Sequence, residues 1–142
     1  MAKIFRRLTN NNKTYVIIDI PLMSCIQWLY LTTILGEGDV NLVQKANDRL
    51  IEGNINLLPI NFLDKFSLNG DLFISTWAIT ESSKYSQNYV IKLNWFNCNH
   101  ILLSYYSKST EFPNYLIQKI EKDKEFIIEN IDFLPDNKYA FL

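Results

Sequence analysis

Asn97-Cys98-Asn99-His100 sets a thiol and an imidazole two positions apart, and such groups can ligate a metal ion or act as a nucleophile and its base. Either chemistry needs more than a pair. A zinc site takes three or four ligands, and a cysteine nucleophile needs a base held by a third group and an oxyanion hole. The chain has one histidine and a single further cysteine, Cys25, in an apolar stretch far upstream. Cys98 therefore reads as a turn residue and His100 as the first residue of a strand, and no metal is expected. Gly36-Glu37-Gly38-Asp39 lacks the third glycine of a dinucleotide fingerprint and the Gly-Lys-Ser/Thr of a phosphate loop, and its own acids would repel a phosphate. It reads as a turn between helices, and no cofactor is implied.

Carboxylates alone can build a metal-dependent hydrolase or nuclease, since such sites need only Asp and Glu held a few ångströms apart. Asp48 and Glu52 are four positions apart, and Glu121, Asp123 and Glu125 crowd a short stretch. Lys or Arg accompanies each group, which is the pattern of a solvated charged face. Aromatic residues, by contrast, are abundant: three Trp, eight Tyr and nine Phe. Trp28, Phe73, Trp77 and Trp95 fall on expected inward faces, whereas Tyr85, Tyr105, Tyr106, Phe112, Tyr115, Tyr139 and Phe141 sit at element ends or beside polar runs. Half-exposed rings next to acids are the material of protein interfaces. The expected partner-binding surface is Glu121, Glu125, Glu129, Tyr115 and Tyr139.

Length and composition bound the fold that positions these groups. With 142 residues, 48% hydrophobic and 20% charged, the chain is expected to form a single globular domain over residues 1–142. A net charge of −1 and a pI of about 5.8 argue against nucleic acid as the partner, and Lys3, Arg6, Arg7 and Lys13 read as a solvated leader. Residues 16–35 are the most apolar stretch, but Asp19, Pro21 and Gln27 interrupt them and leave less than the roughly 20 residues a membrane span requires. Two isolated cysteines suit a reducing cytoplasm, and the triplet Asn12-Lys13-Thr14 is discounted as a glycosylation site.

The expected class is α+β: an N-terminal strand, two to three helices, a three-stranded antiparallel meander, and a C-terminal amphipathic helix packed on the sheet. Asn10 to Asn12 form a turn before a β-branched strand over 14–20, buried on both sides, which stops at Pro21. Residues 22–35 keep helical spacing on nearly all sides, as in a central helix, with Gly36 at the C-cap. Helices are also expected over 39–52 and 60–66. Strands are expected over 72–80, 89–95 and 100–107, the last two joined by a hairpin at Asn97-Cys98-Asn99. Pro113 opens the final helix, whose apolar stripe includes Leu116, Ile117, Ile120, Ile127, Ile128 and Ile131.

Scarce chemistry and abundant aromatics point to a non-enzymatic protein-binding module, within that class a cytoplasmic inhibitor of immunity-protein or antitoxin type that neutralises a basic toxin. A carboxylate-only metal-dependent hydrolase or nuclease is one alternative, and a fold holding a small apolar ligand is another. Replacing Cys25 and Cys98 with Ala and His100 with Gln is expected to leave folding and binding within a few-fold of the parent. Stoichiometric zinc in the purified protein, lost on His100→Gln, would overturn that reading.

Overall fold

The computed structural model describes residues 1–9, 13–108 and 115–142 of a mixed α+β chain with two separate sheets. The chain divides into two compact units, Met1–Ser67 and Leu68–Leu142. In the first unit, α1 (Ala2–Leu8) precedes β1 (Tyr15–Asp19), α2 (Pro21–Leu35), β2 (Val40–Leu42) and β3 (Ile55–Pro59). All three strands are parallel in the order β1-β3-β2, with Ile17 and Leu42 both opposite Leu57. The central strand, β3, is buried at every position, and apart from Asn56 it is apolar on both faces instead of alternating. Pro21 starts α2 where its missing N–H is harmless, and Gly36 ends it at φ 98° with its N–H on the Thr32 carbonyl. Leu31 of α2 and Ala2 of α1 pack with Val40, Ile55 and Leu57.

Two buried polar side chains tie this unit together. Asn56 is completely buried; its Oδ1 accepts from the Ile51 N–H (2.7 Å) and Asn41 Nδ2 (2.8 Å), and its Nδ2 donates to the Ile51 (2.9 Å) and Asn54 (3.2 Å) carbonyls. The long β2–β3 connection thus has its hydrogen bonds supplied by the strand it leads into. Arg6, which the sequence places in a solvated leader, is instead buried and donates to the carbonyls of Gly53 and Asp39.

The second unit holds β4 (Leu72–Thr76), α3 (Lys84–Lys92), β5 (His100–Tyr106), α4 (Tyr115–Lys122), β6 (Ile127–Asn130) and β7 (Asn137–Phe141). Its sheet runs β4-β5-β7-β6; β4 and β5 are parallel, while β7 is antiparallel to both β5 and β6. Ile101, Leu103 and Tyr105 of β5 and Ala140 of β7 form a core with Leu116, Ile117 and Ile120 of α4. Buried Gln87 of α3 accepts from the Leu116 N–H at 3.3 Å and donates to the Ser82 carbonyl at 3.0 Å, joining α3, α4 and the loop after β4.

Several expected elements differ. The sheets are parallel and mixed, so there is no three-stranded antiparallel meander. Residues 89–95 belong to α3 and a turn beyond it, and the expected hairpin at Asn97-Cys98-Asn99 leads instead into a strand parallel to β4. Parallel pairing requires a crossover, and α3 is that crossover. From Asn94 to Asn97 the backbone makes a left-handed turn, with φ of 47°, 53°, 56° and 54°. Residues 39–52 form a short turn, β2 and a loop where a helix was expected; β3 follows where only a connection was read. Residues 60–66 are helical as expected, in 3₁₀ form over Ile60–Lys65. The edge strand β1 is half-buried along its length, not buried on both sides. The strand from Leu72 ends at Thr76, and Trp77 turns away at φ 64° with its indole N–H on Asn137 Oδ1 at 2.8 Å. The C-terminal helix stops at Lys122, and Ile127 and Ile128 lie in β6. The turn read at Asn10 to Asn12 and the helix start at Pro113 lie outside the described residues.

Because Asn56 is wholly buried and makes four hydrogen bonds, Asn56→Ala is expected to destabilise the protein by about 2–4 kcal/mol, whereas Asn41→Ala, which removes one of them, costs about 1 kcal/mol. Urea melts of the two variants check this; equal midpoints would show that Asn56 does not anchor the loop.

Candidate functional site

The outer side of α2 is an exposed apolar surface of the first unit. The helix has no charged residue, and both its sides are apolar, yet only one can lie on the sheet. Ser24 and Leu31 are buried there, with Trp28, Ile34 and Leu35 packed alongside. Leu22 (67% exposed), Met23, Ile26, Leu29 (64%) and Tyr30 face outward, and the thiol of Cys25 is on the same side. Spacings of three, four and seven residues make Leu22, Ile26 and Leu29 a continuous stripe. Together these side chains present on the order of 500 Å², comparable with the largest patch of a typical monomer, which is often functional. Acids mark both ends: Asp19 precedes the start, accepting from the Ile20 N–H and Gln27 Nε2 at 2.8 Å each, and exposed Glu37 follows the end. The sequence shows the apolar residues; it does not show which side the sheet leaves open.

The residues expected to form the partner surface are divided between the two layers of the second unit. Tyr115 opens α4, with Lys84 Nζ 5.4 Å above its ring centre. Glu121, also on α4, pairs with Lys138 Nζ at 2.8 Å and accepts from the Tyr105 hydroxyl at 3.2 Å. Glu125 is in the turn after α4, not on the helix, and its N–H donates to Asp123 Oδ1. Glu129 and Tyr139 lie directly opposite each other on β6 and β7, on the face away from Ala140 and α4. Ile127 and Phe141 make the next pair on that face, with the Phe141 ring 5.9 Å from that of Tyr139. Acids and aromatics do meet there, although not on one helix. Of the other rings read as interface material, Tyr85 is the most exposed at 80%, Tyr106 is exposed, and Tyr105 is wholly buried; Phe112 lies outside the described residues.

The remaining chemical candidates are dispersed. His100 is exposed at the start of β5. The Cys98 sulfur packs so closely on Gly70 that a Cβ there would stand 2.8 Å from it, and burial raises the thiol's pKa, which leaves it a weaker nucleophile. Among the described residues no three His, Cys, Asp or Glu side chains converge as a metal site would require, and no helix is long and apolar enough to cross a membrane.

Tyr105 is buried, with its hydroxyl on the Glu121 carboxylate. Burial first, then the adjacent Glu121 carboxylate, push its hydroxyl above the ordinary value of 10.0. The folded state therefore holds this proton more tightly than the unfolded chain, so the contribution is complete below pH 10.0 and is lost as pH rises above it. Tyr105→Phe is expected to cost about 1–2 kcal/mol at neutral pH through the lost hydrogen bond. The gap between parent and variant should narrow at alkaline pH by up to about 1.4 kcal/mol per unit. Denaturation curves at pH 7, 10 and 11 test both; a gap independent of pH would show that Tyr105 titrates alike in both states. No family model matches the chain and no curated protein matches it.

Proposed function

We propose that the chain is a non-enzymatic protein-binding module that captures a basic protein through the outer side of α2, and that it serves as an inhibitor of immunity-protein or antitoxin type. The carrying observation is the charge-free stripe of Leu22, Ile26 and Leu29, widened by Met23 and Tyr30 and ended by Asp19 and Glu37. Such a surface suits a partner whose own apolar strip has cationic ends: the strip is desolvated against the helix, and the ends meet the acids.

The double substitution Ile26→Glu and Leu29→Glu is expected to leave the melting temperature near that of the parent, because both positions face water. Binding to a basic protein captured from the native host should weaken by at least about tenfold, mostly through faster dissociation. Surface plasmon resonance on the purified pair reads this. Undiminished binding by the double variant would overturn the assignment. So would a parent that is dimeric by light scattering and becomes monomeric in the variant, since a second copy would then occupy the stripe.

A further inference from the structure

We infer that the recess between α3, α4 and the left-handed turn of the second unit binds a small amine carrying an aromatic ring. The open recess has a volume of about 250 Å³ and is lined by Trp95 and Phe126 together with buried Leu116 and Ile120. A dry cavity of about 150 Å³ holds benzene, so this volume takes a single ring with a two- or three-atom tail. The Trp95 and Phe126 rings are set edge to face at 6.4 Å, which leaves aromatic surface to receive a flat ligand.

The wall is held there at a conformational cost. Trp95 and Phe96 both occupy left-handed backbone, φ 53°, ψ 37° and φ 56°, ψ 36°, a region disfavoured for side chains of this bulk. Asn94 and Asn97, which tolerate that region, flank them. Phe96 explains its own position, since it is buried and stacked on Phe73 at 5.9 Å. Trp95 remains only half-buried, with the recess on one side and Phe73 at 5.5 Å.

The rim sets the sign of the ligand. Asp123 and Glu125 line the opening against a single cation, Lys119, giving the mouth a net negative charge. Asp123 Oδ1 already accepts from the Glu125 N–H at 3.1 Å, which fixes this carboxylate beside the opening. An ammonium group on a short tail would reach these acids while its ring rests against Trp95, where a cation gains further from the aromatic faces.

The test compares phenethylamine, toluene and phenylacetate, which share a ring and differ in charge, by calorimetry and by quenching of tryptophan emission on the full chain. Phenethylamine is expected to bind at least about tenfold more tightly than phenylacetate, with toluene between them. Asp123→Asn combined with Glu125→Gln, which keeps the turn's acceptor oxygen, should erase the preference for the amine while toluene binding persists. Trp95→Phe should weaken all three, and comparing its melt with the parent's separates loss of the wall from loss of the fold. No heat or quenching with any probe at millimolar concentration would overturn the proposal, as would equal binding of amine and acid by the parent. The α2 stripe is not part of this site, so failure of either proposal leaves the other intact.

Discussion

Parallel strand pairing is the constraint from which the rest of each unit follows. Two antiparallel strands can be closed by a two-residue turn, but parallel neighbours require the chain to cross back over the sheet. β1 and β2 lie parallel on either side of β3, and α2 is the crossing between them; β4 and β5 are neighbours, and their crossing is α3 with the left-handed turn. A crossover helix lies on its sheet with one side only, so an apolar residue on the opposite side stays in water unless another layer covers it. α2 is apolar on both sides, and its outer stripe is the direct result. The same requirement bends the chain sharply after β4, where Trp77 adopts positive φ and anchors its indole on Asn137.

Crossovers leave long irregular stretches whose backbone groups need partners, and here buried amides supply several of them. Asn56 serves the β2–β3 connection and Gln87 serves the loop after β4 together with the first turn of α4. Each amide both donates and accepts, so one side chain replaces the ladder hydrogen bonds that an irregular segment cannot make for itself. Arg6 does the same with charge, its guanidinium serving two carbonyls far apart in sequence.

Local sequence signals carried the elements that depend on local causes. Proline before a long apolar run and glycine after it mark α2, and the β-branched run before Pro21 marks β1. The strand read over His100 to Ser107 is present as β5, His100–Tyr106. Tyr89 to Trp95 misled because seven residues alternate with period two, yet their burial follows a helix: Val90, on the wetter face of that alternation, is buried in α3 one turn from buried Gln87, and Leu93, on its inward face, is exposed. The last helix misled because Leu116 to Ile120 and Ile127 to Ile131 share a helical phase, although the Asp123 turn separates them. Of the expected partner residues, the register places Glu129 and Tyr139 together, a relation set by β6–β7 pairing that no spacing within either segment encodes. The strand β3 escaped notice because Asn56 breaks its apolar run, and only the fold reveals that this asparagine is an internal ligand of the neighbouring loop.

Magnitudes decide how the α2 stripe and the acids divide the work of binding. Burying about 500 Å² of apolar surface yields on the order of 12 kcal/mol at about 25 cal/mol per Å². Association and the ordering of interface side chains cost about 4–15 kcal/mol, so the stripe by itself gives a complex near the threshold of usefulness. Two contributions can lift it above that threshold. The partner's own apolar strip loses water at the same moment, which enlarges the buried area. Exposed acids act earlier, raising the rate of encounter without needing close contact, and they lose that influence over roughly 10 Å at 0.1 M salt. An interface built in this way should hold its dissociation rate nearly constant as salt rises while its association rate falls, because the apolar stripe sets lifetime and the carboxylates set speed.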